Sequence, residues 1–237
     1  MARKFDEKDG CTVMVAMEMK TGELLQPFII FTGKFGKTLM EYYKPYKKSK
    51  IITTENHWMT EHAMRIWLDS IRQMFPGRRI GITYDRAPAH TEHLETWVEQ
   101  ENNKDINETF IIVDYIDKYL TAIYQPCDVV INHTLKSEIR QGYSKHISSL
   151  KTKPGDKLKV RREQLIKIIE NAFNKINESQ KTKPTITPAF ELCGLNPFAH
   201  NTDKFDAHIQ NLTELRVYET LLSSNNTVCV QTSDEIV

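Results

Sequence analysis

Two aspartates occupy positions where proteins commonly hold ligands. Residues 79–85 form a β-rich run that ends in the carboxylate of Asp85, and Pro88 prevents the strand from continuing. Asp128 opens a helical pattern shortly after Pro126. Strand ends in α/β sheets are where ligands and metals are usually held. If the two carboxylates meet, they favour a hard divalent cation such as Mg²⁺ or Mn²⁺, which activates a water or a hydroxyl in phosphodiester chemistry.

Short strands and amphipathic helices must position these acids. Residues 11–17 and 24–31 predict the two strands of a hairpin around a glycine turn. Thr60 is predicted to cap a helix that ends before Pro76. The apolar stripe of this helix is predicted to be Met64, Trp67, Leu68, Ile71 and Met74. The order of elements predicts an α/β layer with a mixed sheet. Further strands are predicted at residues 80–84 and 110–113, and further helices from Thr91, from Asp128, over 165–176 and over 189–193.

Composition limits the classes of protein. The chain has 237 residues, of which 40% are hydrophobic and 27% charged, with a net charge of +1, so any nucleic-acid contact must come from local patches. Four widely spaced cysteines without a C-x-x-C pair indicate free thiols in a reducing compartment. The charged N-terminus and the lack of a run of about 18 apolar residues predict no signal peptide and no membrane span. These features favour the cytosol or the nucleus.

One basic segment offers a weaker nucleic-acid signal. Residues 42–50 interleave aromatic side chains with four lysines, which is compatible with backbone contact and base stacking. A solvated loop is the plainer interpretation, and it is favoured about two to one. The candidate contacts are Lys44, Lys47, Lys48 and Lys50.

Two other chemistries are less favoured. Asp85, His90 and His93 could form a zinc set, although His93 is expected on an exposed helix turn. Cys127 could act as a nucleophile beside a histidine, but a small, half-buried structural residue is the simpler interpretation.

The two acid motifs carry a resemblance. Residues 82–90, Ile-Thr-Tyr-Asp-Arg-Ala-Pro-Ala-His, resemble the second-acid motif of the DDE superfamily endonucleases, in which a strand ends in Asp followed by Asn-Ala-Pro-Ala-His. Residues 124–128, Tyr-Gln-Pro-Cys-Asp, resemble the third-acid motif Leu-Gln-Pro-Leu-Asp. The closest branch is that of the pogo, Tigger and jerky transposases and of centromere protein B. The resemblance covers roughly residues 10–198 and includes matches at 12–31, 56–60 and 189–195.

The resemblance implies a ribonuclease H-like fold, with the first acid on the first strand, the second on the fourth strand and the third at a helix start. Asp85 and Asp128 are then the catalytic and metal-binding residues, with Mg²⁺ or Mn²⁺ as cofactor. His90 would shape the second-acid loop and Gln125 the third. Arg86 departs from the family's Asn, and its charge would compete with a metal ion. DNA is the implied partner and the nucleus the implied location.

The first strand and its acid are expected to be missing. The hairpin corresponds to the second and third strands of the family. Only residues 1–10 precede it, of which residues 6–10 resemble a turn, and they contain no apolar, Asp-bearing strand. We therefore expect a chain truncated at its N-terminus, without the upstream helix-turn-helix region. The central sheet would hold a short stub from Ala2–Phe5 or a gap. Asp6, Asp9 or Glu18 are less favoured substitutes for the acid.

The expected organisation is a DDE-type core at residues 10–150, a helical extension of the same domain at 151–200, and a partly disordered tail at 201–237. The first functional hypothesis is a transposase-derived endonuclease-like protein, whose parent chemistry is metal-dependent DNA cleavage and strand transfer and which has little activity of its own. The alternative is a non-catalytic, domesticated or decayed module that binds DNA or protein. A third hypothesis is a nuclease acting on RNA hybrids. No membrane partner is expected, and a homodimer stays open.

Overall fold

Strands and helices alternate along the chain in a computed structural model, which describes residues 10–33, 45–85, 92–104, 109–117, 120–150, 160–199 and 202–211. Residues 203–211 are also helical. The strands are β1 (Cys11–Met14), β2 (Met17–Glu18), β3 (Glu23–Leu24), β4 (Phe28–Thr32), β5 (Lys50–Thr54), β6 (Arg79–Asp85) and β7 (Phe110–Ile116). The helices are α1 (Glu61–Met74), α2 (Glu92–Asn102), α3 (Thr121–Tyr124), a π-helical turn (Cys127–Ile131), α4 (Asn132–Ser149), α5 (Arg162–Gln180) and α6 (Ile186–Leu192).

The described strands form a mixed arrangement, which confirms the predicted α/β class. In the largest sheet, β4 pairs antiparallel with β1 and parallel with β5. The short β2–β3 pair continues the hairpin, and β6 pairs parallel with β7. The strand β5 is absent from the sequence prediction, which assigns no element to residues 51–54. Its signal is the β-branched run at residues 51–54, which follows the lysine-rich residues 42–50 directly.

The strand β4 lies between two helical layers. Ile29 and Phe31 belong to a core cluster with residues of α4, α5 and α6. Phe28 and Ile30 belong to a second cluster with α1, α2, β6 and β7. A strand buried on both faces is expected to be apolar at every position, as this one is from Phe28 to Phe31.

Helix α1 forms as its sequence predicts. The hydroxyl of Thr60 accepts a hydrogen bond from the backbone N–H of Ala63 at 3.2 Å, which satisfies one of the unpaired donors of the first turn. Gly77, with a φ of 69°, follows the helix in the left-handed conformation that glycine adopts readily. Four of the five predicted stripe residues are buried, and Met74 is partly buried against the same core: Met64, Trp67, Leu68 and Ile71 form the buried set.

The sheet is split between β1 and β6. Within the described ranges, β1 pairs only with β4, and β6 pairs only with β7. An ion pair of 3.9 Å between Glu18 and Arg78 nevertheless brings the end of β2 beside the start of β6. Both halves also pack on α1 through one shared core. The two sheets therefore lie side by side without a hydrogen-bonded connection in this part of the chain, and the predicted Ala2–Phe5 stub falls outside it.

Candidate functional site

Asp85 is the last residue of β6. It pairs in register with Ile116 of the parallel strand β7 and is half-buried. The preceding residue, Tyr84, is buried and packs edge-on against Tyr115, with 5.1 Å between ring centroids. Burial raises the pKa of the Tyr84 phenol, and its contact with Tyr115 raises it further. The carboxylate of Asp85 is thus carried by a strand whose inner face is fixed in the core.

Asp128 lies in the π-helical turn that precedes α4. The carbonyl oxygen of Gln125 accepts hydrogen bonds from the N–H groups of Asp128 at 3.0 Å and Val129 at 3.1 Å. Pro126, with a φ of −57°, suits the first turn of a helix because its missing N–H is not needed there. The exposed carboxylate of Asp128 accepts a hydrogen bond from the side-chain amide of Asn132. Single π-helical turns occur frequently at functional sites.

Cys127 anchors this turn to the sheet. Its thiol contacts the carbonyl oxygen of Val15, with 3.8 Å between Sγ and O, at the bend between β1 and β2. Burial raises the pKa of the Cys127 thiol to about 12, and the negative charge of Asp128 and the neighbouring Cys193 add to the shift. A thiol that stays protonated at neutral pH is a poor nucleophile, so the geometry favours the structural interpretation of Cys127.

Asp85 and Asp128 are tied to different halves of the split sheet. Asp85 belongs to the β6–β7 half, whereas the turn carrying Asp128 packs on the bend that follows β1. Their convergence on one ion stays a prediction. Within the ranges that the structure describes, no group of three or more His, Cys, Asp or Glu side chains is placed to hold a metal ion.

The donor chemistry still fits a hard cation, because one or two carboxylates with several waters are enough to hold Mg²⁺. The number of donors is small, and the described part of the chain does not form a closed metal centre.

Of the predicted supporting residues, His90 lies outside the described ranges, as does Arg86. The side-chain oxygen Oε1 of Gln125 is buried and has no hydrogen-bond partner among the described residues. Gln125 thus contributes its backbone to the turn of Asp128 and leaves a buried acceptor beside it.

The predicted lysine contacts divide into two groups. Lys47 and Lys48 are exposed and line an open cleft of about 370 Å³ between the β3–β4 connection and α5. Lys50 is half-buried at the start of β5, where it pairs with Phe28 of β4. Lys44 lies outside the described residues. The interpretation as a loop holds for the first pair only, and their contact with nucleic acid stays a prediction.

The model of the family described as DDE superfamily endonuclease matches residues 8–183, which is more than half of the chain. The chain belongs to the DDE superfamily endonucleases. The matched range of this DDE chain includes both Asp85 and Asp128. No curated protein and no solved structure matches the sequence. Among the described helices of the DDE chain, none is long and apolar enough to cross a membrane.

Two features around these acids are absent from the sequence prediction. One is Asn132, although its spacing of one helical turn from Asp128 is the spacing at which helical side chains meet. The π-helical turn has no recognisable sequence signal, and its Cys127 contacts Val15, which is far away in the sequence.

Proposed function

We propose that this DDE endonuclease chain is transposase-derived and has the ribonuclease H-like arrangement of the pogo, Tigger, jerky and centromere protein B branch. The placement of the two motif acids supports this proposal. Asp85 ends a parallel strand, and Asp128 stands in the first helical turn before α4. These are the places that the second and third acids of the branch require.

The split sheet supports the same proposal. In the ribonuclease H-like order, a first strand lies between the strands that correspond to β1 and β6. Those two strands belong to separate sheets within the described residues, yet the Glu18–Arg78 ion pair keeps their ends close. The gap between β1 and β6 is where the order of the branch has its first strand.

The parent chemistry of the branch is metal-dependent DNA cleavage and strand transfer, in the nucleus. In this chain the carboxylates of Asp85 and Asp128 would hold Mg²⁺ or Mn²⁺, with Gln125 and His90 shaping the loops around them. Only two of the acids are identified by motif, and the described residues offer no set of three donors. The 237-residue chain alone is therefore expected to cleave DNA weakly or not at all.

Because only two acids are identified by motif, the second candidate function is a non-catalytic module that binds DNA or protein. A nicking assay on supercoiled plasmid with Mg²⁺ or Mn²⁺ tests which applies. We expect no nicking above that of Asp85→Asn protein prepared in parallel. Robust nicking by the wild-type chain that is lost in Asp85→Asn would overturn the expectation of inactivity and would support a working DDE enzyme.

A further inference from the structure

The strands β4 and β5 end together at one edge of the mixed sheet. Thr32 pairs in register with Thr54, and the N–H of Gly33 donates to the carbonyl oxygen of Thr54 at 2.8 Å. The connection from β5 to α1, residues 55–60, therefore leaves the sheet beside the end of β4. The side chains of this connection therefore lie at the ends of β4 and β5.

Thr32 joins two nitrogen-bearing side chains at this edge. Its hydroxyl lies 3.1 Å from Nδ1 of His57, and its carbonyl oxygen accepts a hydrogen bond of 2.6 Å from Nη2 of Arg162. The guanidinium of Arg162 also lies over the ring of Phe31, 5.2 Å from its centroid. Both contacts end on Thr32, so the imidazole of His57 and the guanidinium of Arg162 are tied to the same strand end. Arg162 begins α5, whose first turn also carries Glu163.

The same connection holds a tryptophan outward. Trp58 is 59% exposed, whereas Trp67 in α1 is 4% exposed. The backbone of Trp58 is fixed on both sides: its N–H donates to Oδ1 of Asn56 at 3.3 Å, and its carbonyl oxygen accepts from the hydroxyl of Thr54 at 3.1 Å. His57 takes the left-handed conformation, with a φ of 57°, which is uncommon for a residue with a side chain. The exposed indole is therefore carried by a loop whose backbone is fixed by hydrogen bonds.

A single exposed apolar side chain needs no explanation by itself. Here the exposed ring lies in a hydrogen-bonded loop beside His57, and this loop leaves the sheet at the strand end that Arg162 contacts, a combination that suits a base and its phosphate. Aromatic side chains in a positively charged setting stack on bases whose faces are open, and the faces of a duplex are covered by their neighbours.

We propose that the tryptophan edge, formed by Trp58, His57 and Arg162, binds single-stranded DNA. An unpaired base stacks on the indole of Trp58, and the adjoining phosphate lies beside the guanidinium of Arg162. The inference rests on the proposed function for DNA as partner and adds the form of DNA and the surface that takes it. This surface is separate from the two acids in sequence and in the contacts that fix it.

The test is fluorescence anisotropy of the 237-residue chain with a labelled twelve-nucleotide oligo-dT, in EDTA so that no metal ion contributes. Trp58→Ala is expected to weaken binding about tenfold or more, since stacking on one aromatic ring has an effect of that size. Trp58→Phe, which keeps a ring, should recover most of the affinity. Phe198→Ala removes an aromatic side chain that is 77% exposed elsewhere and should change nothing.

The charge is tested separately. Arg162→Gln is expected to weaken binding severalfold and to flatten its dependence on salt. Lys181→Gln, just beyond the other end of α5 and roughly 28 Å away at 1.5 Å per residue, is the matched control. Thermal melts show whether each variant is folded, and Trp58→Ala is informative even if Arg162→Gln is not.

Wild-type affinity in Trp58→Ala, or equal competition by a duplex of the same length, would overturn the inference. So would a failure of the wild-type chain to bind oligo-dT. Mn²⁺ binding through Asp85 and Asp128 does not involve Trp58. If that binding is present while Trp58→Ala has no effect, the inference fails and the proposed function stands.

Discussion

The side-chain amide of Asn132 donates a hydrogen bond to Oδ1 of Asp128, one helical turn earlier in the chain. Asp128 is exposed, and its backbone lies in the π-helical turn that Cys127 fastens to the sheet. The amide restricts the rotation of this exposed carboxylate. We infer that Asn132 is a positioning residue for the acid and that its effect is exerted on metal binding more than on stability.

Asn132→Ala is therefore expected to weaken Mn²⁺ binding by about tenfold, the lower end of the range for loss of a hydrogen bond to a metal ligand. The melting temperature should change little, because the bond is at the surface. Mn²⁺ titration followed by electron paramagnetic resonance measures the first quantity. Gln141→Ala, which removes a similar one-turn contact to Ser137 on the same helix, is the control. Equal effects of the two substitutions would contradict a positioning role.

Asn102 is expected to matter for stability. Its side chain donates to the carbonyl oxygen of Ile111 at 2.7 Å and accepts from the N–H of Ile111 at 3.0 Å, so it pairs with β7 as a neighbouring strand would. It also accepts from Arg72 of α1 at 3.0 Å. Asn102→Ala leaves these partly buried groups unpaired and should lower the free energy of unfolding by about 2–3 kcal/mol.

Urea denaturation measures the effect of Asn102→Ala. The exposed neighbour Asn103 provides the control, since Asn103→Ala should change the free energy of unfolding by less than about 0.5 kcal/mol. If the two substitutions were equally mild, the anchoring of β7 by Asn102 would be wrong.

The buried thiols are expected to make the stability of the fold depend on pH in the alkaline range. Burial raises the pKa of Cys11, Cys127 and Cys193 from an ordinary value of 9.0 to about 12. Between these values the unfolded chain releases the thiol protons and the folded chain keeps them, so the unfolded state is favoured progressively. Their contribution is present below pH 9 and is lost as the pH rises towards 12.

The melting temperature is accordingly expected to fall between pH 9 and 12, and Cys127→Ala should fall less steeply than wild type. Differential scanning calorimetry of the two proteins at matched pH values makes the comparison. Parallel slopes for the two proteins would show that the Cys127 thiol does not carry this linkage.

The sequence predicted those features that depend on local pattern. The stripe of α1, its cap at Thr60 and the strand that ends in Asp85 follow from side-chain period, hydrogen bonding and the position of Pro88, and all three elements appear. The family resemblance rests on the two acid motifs, and the match over residues 8–183 supports it at the level of the superfamily.

Features that depend on distant partners were missed. The strand β5 forms by parallel pairing with β4, and the lysine-rich segment before it gives no strand signal. Among the described strands, β1 and β6 belong to separate sheets, and no local sequence pattern indicates which strands pair with each other. The tryptophan edge likewise depends on contacts of Thr32 in β4 with His57 in the loop after β5 and with Arg162 in α5.

The central claim is that Asp85 and Asp128 serve one divalent ion. Mn²⁺ titration of the wild-type chain, Asp85→Asn, Asp128→Asn and the double variant tests it most directly. We expect a weak site in the wild type that each single substitution removes, with no further loss in the double variant. Binding that is unchanged in both single variants, or that each substitution lowers independently, would contradict it.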